Sequence, residues 1–600
     1  MCGLCGELRF DGRPADPGVL DRMLPRLARR GPDHEGRFHS GPVVLGHRRL
    51  AILDLSPRAH QPLADPDSGC VIVFNGTIYN YPELREVLRR RGHSFRTTGD
   101  TEVILKAYAE WGVDSVRRLH GMFAFAIHDP RRRCLFLARD RMGIKPLYYT
   151  LDRDRFRFAS NSQALLAAGG VDTGLDPVAL HHLFTLHAVV PAPRTVLRGI
   201  RKLPPAHHLT VHADGRHERV RYWDLEATRP AAAPRSEAEW TEAIHAALRE
   251  AVRRRLEIAD VPVGVLLSGG LDSSLLVALL AEAGVHPIRT YSVGFEDQPE
   301  EAGSEFEYSD QVVARYGTDH HKYHIPNEEV LARLPEAVEA MAEPMFGQDA
   351  VAFYLLAERV SRSVKVVQSG QGADEVFAGY FWYPRMAAET EGPPEVRFAR
   401  HYFDRDHPEY CEMIARPCPP FDYTKGRVAW HLTRPGADTF IDQVLRFDVT
   451  TLIVDDPVKR VDNMTMAWGL EARVPFLDQQ LVELAARLPP EYKLASGGKH
   501  VLKCIARGRL PDAVIDRPKG YFPVPALKYV RGPFLEFMRG ILDSRACRER
   551  GLYRRAYVER LLAAPERHLT RLQGSKLWHL ALLELWLQRN VDSAPGTWIP

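Results

Sequence analysis

The stretch 261-VPVGVLLSGGLDSSLLVALLAEAG-284 decides the fold of half the chain. Its first seven residues form a short apolar run of the length of a buried strand. Ser268, Gly269 and Gly270 break that run, and 275-LLVALLAEAG-284 continues as a helix that stops at a glycine. The two glycines let the backbone turn tightly and approach an anion. The helix that follows aims its N-terminal amides and positive dipole end at the same point. Ser268, Ser273 and Ser274 add hydroxyl donors, while Asp272 inside a phosphate-binding turn calls for a divalent cation to balance it. No G-K-[ST] follows, so this is not the Walker pattern. A bare strand-to-helix turn would use the glycines but has no need of the internal acid.

Outward from this loop, strand and helix alternate. A strand is predicted over 288-IRTYSVGF-295, a helix over 310-DQVVARYG-317, and a strand with a glycine loop over 364-VKVVQSGQG-372. That alternation predicts a parallel sheet covered on both faces. Beyond about Glu395 the chain reads as helical, with an amphipathic helix over 575-SKLWHLALLELWLQR-589. Upstream, 240-WTEAIHAALREAVRRRL-256 has helical periodicity, and Ser236 with Glu239 forms a capping box. The Pro/Ala-rich 227-ATRPAAAPRSEAEW-240 reads as a linker. Before it lie short apolar segments, among them 43-VVLGHRRLAILDL-55, 71-VIVFNGTIYN-80, 121-GMFAFAIHD-129 and 134-CLFLARD-140. Helices are predicted at 82-PELREVLRRRG-92 and 101-TEVILKAYAEWG-112, which suggests layered sheets with helices outside. The division is therefore 1–221, a linker over 222–240, and 241–600.

Bulk properties are those of a globular protein. At 600 residues, two large domains or more are expected. Lys+Arg 80 against Asp+Glu 77 leaves a net charge of +3, no footprint for nucleic acid or an anionic membrane. The basic runs Arg89–Arg91 and Arg131–Arg133 are short solvated faces. No apolar run is long enough for a bilayer, and no signal peptide is read. The eight cysteines are scattered, which points to a reducing cytoplasm rather than a disulfide framework. Cys2 and Cys5 form a C-x-x-C, but no second such pair completes a four-ligand site; Cys411 and Cys418 are too far apart to read as one.

Cys2 follows the initiator Met. Once Met1 is removed, nucleophile and base share one residue, because an α-amine of pKa ~7.7–8.0 can take the thiol proton. Alone, Cys2 could equally be an inert thiol. Its neighbours 1-MCGLCG-6, 29-RRGPDHEG-36, 46-GHRRL-50, 75-NGTIYN-80 and 99-GDTEV-103 resemble, in order and spacing, the glutaminase domain of class II amidotransferases. That resemblance implies an N-terminal-nucleophile fold with layers α-β-β-α. It implies Asn75 and Gly76 as oxyanion donors, Arg49 for the glutamine carboxylate, and Asp100 for its ammonium. Thr77 stands where the family usually has Glu, so weaker glutamine affinity is expected.

The loop at 268-SGGLDSS-274 resembles that of the ATP pyrophosphatase enzymes, which cleave ATP to AMP and pyrophosphate. This implies a nucleotide site at Leu267, Ser268, Gly269, Gly270, Asp272, Ser273, Val293, Ser369 and Gly370, with Asp272 and Asp374 holding Mg²⁺. The order of the two halves, with 139-RDRMGIKPLYY-149, 369-SGQGADEVFAGY-380 and 461-VDNMTMAWGLEARVPFLD-478, resembles glutamine-hydrolysing asparagine synthetase over nearly the whole chain. The implied activity is ATP- and glutamine-dependent conversion of a carboxylate to a carboxamide through an acyl-adenylate, with Lys499 steadying charge on the intermediate. The partners implied are small molecules, and the family implies a homodimer. One departure bears on the acceptor: Gln371 replaces a family acid, and an amide cannot act as a base. Stretches 187–206, 343–358, 366–384 and 574–588 are similar to the N-acetylglutaminylglutamine amidotransferases, which implies that acetylated dipeptide as acceptor; aspartate is the alternative. A β-lactam-type cyclase is disfavoured by Cys2, and a regulatory nucleotide binder without turnover by Asp272, Asp374 and Lys499.

Overall fold

The computed structural model describes residues 2–229, 236–517 and 524–593. The centre of the predicted linker, 230–235, lies outside the described residues.

Twelve described strands precede residue 222. They are β1 (Gly3–Arg9), β2 (His34–Ser40), β3 (Val43–Arg49), β4 (Leu63–Ala64), β5 (Val71–Ile78), β6 (Gly121–Asp129), β7 (Cys134–Arg139), β8 (Tyr148–Leu151), β9 (Arg155–Ala159), β10 (Arg201–Lys202), β11 (His207–His212) and β12 (His217–Arg221). They build two antiparallel sheets, ordered β10-β8-β9-β1-β3-β2 and β12-β11-β7-β6-β5-β4. The period of two along each strand explains the layering. In β5, Val71 and Val73 join Leu4 and Leu8 of β1 between the sheets. Ile72 and Phe74 point the other way, onto Leu84, Leu88, Val103 and Ile104 of the helices Tyr81–Arg90 and Thr101–Trp111. The outer face of the first sheet, through Cys5 and Val44, meets the helices Gly18–Met23 and Ser162–Ala168. The result is the predicted α-β-β-α sandwich.

The second half is built on β13 (Val263–Leu266), β14 (Arg289–Phe295), β15 (Asp319–Ile325), β16 (Val366–Gln368) and β17 (Glu471–Arg473). Their order is β15-β14-β13-β16-β17, and every pair is parallel. β13 lies at the centre and ends in the Ser268 turn, from which the helix Leu271–Glu282 departs. In such a sheet the ligand site lies beyond the C-terminal strand ends. After β16 the described chain is helical apart from β17.

Three expectations change. The segment before residue 230 is not a free spacer: Ala227 bridges to Ala437, and Arg229 pairs with Asp438 and Asp442. The helix Glu237–Glu257 starts inside the expected linker, at the capping box of Ser236 and Glu239. The helix Lys576–Leu587 is not amphipathic in use, because Leu577 to Leu587 are all buried; a helix apolar nearly all round belongs in a core.

Buried ion pairs lock the two halves together. Asp462 takes Arg30 at 3.0 Å and Lys145 at 3.1 Å, while Lys202 bridges Glu343 at 2.9 Å and Asp455 at 2.5 Å. Such pairs add little net stability after desolvation, but breaking one strands a buried charge.

Candidate active sites

The predicted glutaminase residues converge. Cys2, Arg49, Gly76, Thr77 and Asp100 line one cavity of about 40 Å³. Asn75 sits beside it on β5, and its Oδ1 accepts from the Cys2 nitrogen at 3.0 Å. Its Nδ2 is buried and has no partner. A buried unpaired donor is costly, and such an atom beside a nucleophile is what an oxyanion hole requires. Gly76 has φ +155°, and a Cβ there would lie 2.1 Å from the Met122 carbonyl oxygen, so no other residue fits. Burial pushes the Cys2 thiol up, opposed by the positive chain terminus, the Leu50 amide and Arg49. Arg49 donates to the carbonyls of Leu53, Asp54 and Ser56, which orients its fork while leaving N–H groups over. Asp100 precedes the helix Thr101–Trp111, and its carboxylate, rather than capping that helix, accepts from the Ile78 amide at 2.9 Å. Burial raises its carboxyl to about 6. Cys5 points away into the apolar layer, where burial pushes its thiol up to about 12, so Cys2 and Cys5 do not form a pair.

The nucleotide residues converge at a second cavity, of about 460 Å³, at the C-terminal ends of β13, β14 and β16. Leu267, Ser268, Gly270, Asp272, Ser273, Val293, Ser369, Gly370, Gln371, Asp374 and Lys499 all line it. Gly269 does not. It turns the loop at φ +76°, where a Cβ would meet the Ser309 nitrogen at 2.6 Å, so its part is to seat the loop. Lys499 takes a left-handed backbone (φ 55°) and places its ammonium 2.6 Å from Asp272 and 2.7 Å from Asp374. Asp272 Oδ1 is buried without a partner. Two carboxylates converging on one cation, with a buried acceptor to spare, fit a divalent ion with oxygen ligands.

A model of the asparagine synthase family matches residues 243–588, and one of the glutamine amidotransferase domain matches 1–223. The chain belongs to the glutamine-hydrolysing asparagine synthetase family. It is a ligase of that type, forming a C–N bond with glutamine as amido donor and ATP as nucleotide. Asparagine synthetase [glutamine-hydrolyzing] 1 of Bacillus subtilis is 31% identical, over 99% of this chain and 97% of its own. Asparagine synthetase [glutamine-hydrolyzing] 3 of the same organism is 32% identical, over 87% of each. Amidase chry2 of Gibberella zeae is 28% identical, over 89% of this chain and 90% of its own. Among solved structures, the glutamine phosphoribosylpyrophosphate amidotransferase of B. subtilis, complexed with ADP and GMP, is 16% identical at a TM-score of 0.30. It covers 55% of this chain and 92% of its own, a likeness too slight to argue from.

Two residues inside the quoted motifs received no role from the sequence. Glu471, at the start of β17, lines the glutaminase cavity, where Thr77 Oγ1 lies 3.4 Å from its Oε1. Against burial, Arg473, the chain terminus and Lys145 hold its carboxyl down at about 2. A carboxylate of the synthetase half thus stands beside Thr77 in the glutaminase cavity. Gly379 is the second: a Cβ there would lie 2.1 Å from Lys499 Cε and 2.2 Å from Asp374 Oδ1. Its signal in the sequence was its place at the end of 369-SGQGADEVFAGY-380.

Proposed function

We propose that the acceptor is N-acetylglutaminylglutamine, whose terminal carboxylate becomes a carboxamide. One observation carries this reading. Eight carboxyl side chains line the large cavity, and each already has a partner. Asp272 and Asp374 share Lys499. Asp349 and Asp456 hold Arg460, Glu305 holds Arg517, and Asp516 holds Arg507. Glu375 accepts from Tyr380 and Asp448 from Tyr383, and burial raises the Asp448 carboxyl well above the usual range. Gln371 lines the cavity where the family has an acid, and an amide offers no charge to the α-ammonium that aspartate would bring. An acetylated dipeptide brings none. Its amides and methylenes suit the wall formed by Phe346, Tyr380, Trp382, Tyr402 and Trp578.

In this reading the Cys2 thiolate attacks the glutamine amide, with Arg49 on the carboxylate and Asp100, backed by Glu471, on the ammonium. Asn75 Nδ2 and the Gly76 amide meet the oxyanion. A thioester forms, ammonia leaves, and water releases glutamate. ATP lies on the Ser268–Ser274 loop, and the acceptor carboxylate attacks its α-phosphorus, expelling pyrophosphate; ammonia then displaces AMP. Asp272 and Asp374 would hold Mg²⁺, which neutralises pyrophosphate charge when bound. Lys499 supplies positive charge beside the same phosphates. Ser369 at the end of β16 donates to Arg473 of β17, so the two cavities flank one strand pair and ammonia has roughly 10 Å of sheet to pass.

The names of the Bacillus relatives favour aspartate as a second reading. Pyrophosphate release with ATP, Mg²⁺ and ammonia separates the two. N-acetylglutaminylglutamine should exceed aspartate by about 100-fold or more in kcat/KM, roughly 2.7 kcal/mol of transition-state preference. Release with aspartate alone would overturn the acceptor assignment.

A further inference from the structure

Away from both cavities, His407, Cys411 and Cys418 bring one imidazole nitrogen and two sulfurs within 4.8 Å of one another. His407 and Cys411 stand one turn apart on the helix His407–Met413, so they share a face. Cys418 returns from the loop that follows, its Cα 5.0 Å from that of Cys411, with the two sulfurs in bonding contact. The other six cysteines are free. A scattered-cysteine chain of this kind is not a disulfide scaffold, and a lone pair in it reads as metal-binding or redox-active.

The imidazole decides between these. His407 Nε2 lies 3.7 Å from both sulfurs, a placement that a disulfide does not need. Its other nitrogen is fixed by a chain of hydrogen bonds. His407 Nδ1 is 2.9 Å from His181 Nε2, His181 Nδ1 is 2.6 Å from Thr424 Oγ1, and Thr424 Oγ1 is 3.0 Å from His182 Nδ1. His407 Nδ1 is engaged by this chain, and its Nε2 faces the sulfurs. An outer ring of donors and acceptors that sets a ligating imidazole is the mark of a metal site.

We propose that His407 and the reduced Cys411–Cys418 pair bind one Zn²⁺, as a Cys₂His set with the fourth position open to water. Binding displaces two thiol protons into solvent and consumes no oxidant or reductant. The ligand atoms need only open to Zn–S ≈ 2.3 Å and Zn–N ≈ 2.0–2.1 Å. Through His181 on the helix Pro177–Thr185, the ion would pin the glutaminase half to the helical extension.

The test uses the full chain purified under reducing conditions, with zinc by elemental mass spectrometry and thiols by titration after denaturation with chelator. One zinc per chain and eight titratable thiols are expected. Cys411→Ser/Cys418→Ser and His407→Ala should lose the zinc, and His181→Ala should weaken it by about 10–100-fold. Cys504→Ser, in the separate, partly exposed cluster with Glu237 and His500, should leave it unchanged. If the ligand variants misfold, cobalt(II) loaded into the unaltered chain should show a sulfur-to-cobalt charge-transfer band. Six thiols without zinc, eight thiols without zinc uptake, loss of zinc in Cys504→Ser alone, or no such cobalt band would each overturn the site.

Discussion

Asn75→Ala separates catalysis from stability at one residue. The side chain holds the Cys2 nitrogen at 3.0 Å through Oδ1 and carries a buried, unpartnered Nδ2. If Nδ2 is an oxyanion donor, its loss costs ~2.7–4 kcal/mol in the glutamine step, about 10²–10³ in kcat. The fold should barely respond. Removing the unpaired donor relieves ~1–3 kcal/mol of desolvation penalty, and losing the acceptor of the Cys2 nitrogen costs a similar amount. The net change is within about 1 kcal/mol. The assay compares glutamine-driven with ammonia-driven product formation and records the melting temperature. Glutamine-driven turnover should fall by at least 100-fold while ammonia-driven turnover and Tm stay within twofold and a few degrees. A fall below tenfold, or an equal fall with ammonia, would refute the oxyanion assignment.

Other perturbations follow from the same geometry. The Asp100 carboxyl, at about 6 when folded against ~3.9 unfolded, holds its proton more tightly in the fold, so folding is penalised as pH rises from about 4 through 6. Asp100→Asn should therefore raise Tm at pH 7.5 by up to the equivalent of about 3 kcal/mol, less the altered Ile78 bond, with the gain gone near pH 4, while the KM for glutamine rises at least tenfold; a gain that persists at pH 4 would contradict the assigned cause. Thr77→Glu restores the usual family residue but sets a second carboxylate against Glu471, so glutaminase activity should drop, and adding Glu471→Gln should restore it; improvement by the single change would count against the ammonium role given to Glu471. Gly379→Ala should push Lys499 off Asp374 and abolish synthesis with glutamine or ammonia alike, yet leave glutamine hydrolysis within twofold.

What could be read from the sequence is what lies close together along the chain. The 268-SGGLDSS-274 turn and 75-NGTIYN-80 carry their chemistry within one loop or strand, and both residue sets converge. β15 was not read because 319-DHHKYHI-325 is a half-exposed edge strand with little apolar pattern. β17 is three residues, Glu471–Arg473, whose charged ends are buried against each other and against the carbonyls of Arg255 and Ile258. Glu471 reaches Thr77 across 394 positions, a distance no local motif spans. Cys411 and Cys418 were set aside for a related reason: the end of a helix and the loop after it bring together residues seven positions apart, not a C-x-x-C.

The central claim is amide transfer through an acyl-adenylate, and oxygen bookkeeping tests it most directly. N-acetylglutaminylglutamine labelled with ¹⁸O in its terminal carboxylate is turned over with ATP and glutamine, and the products are analysed by mass spectrometry. One ¹⁸O per turnover should appear in AMP and the other in the new carboxamide. Label in inorganic phosphate, or unlabelled AMP beside labelled product, would contradict the account.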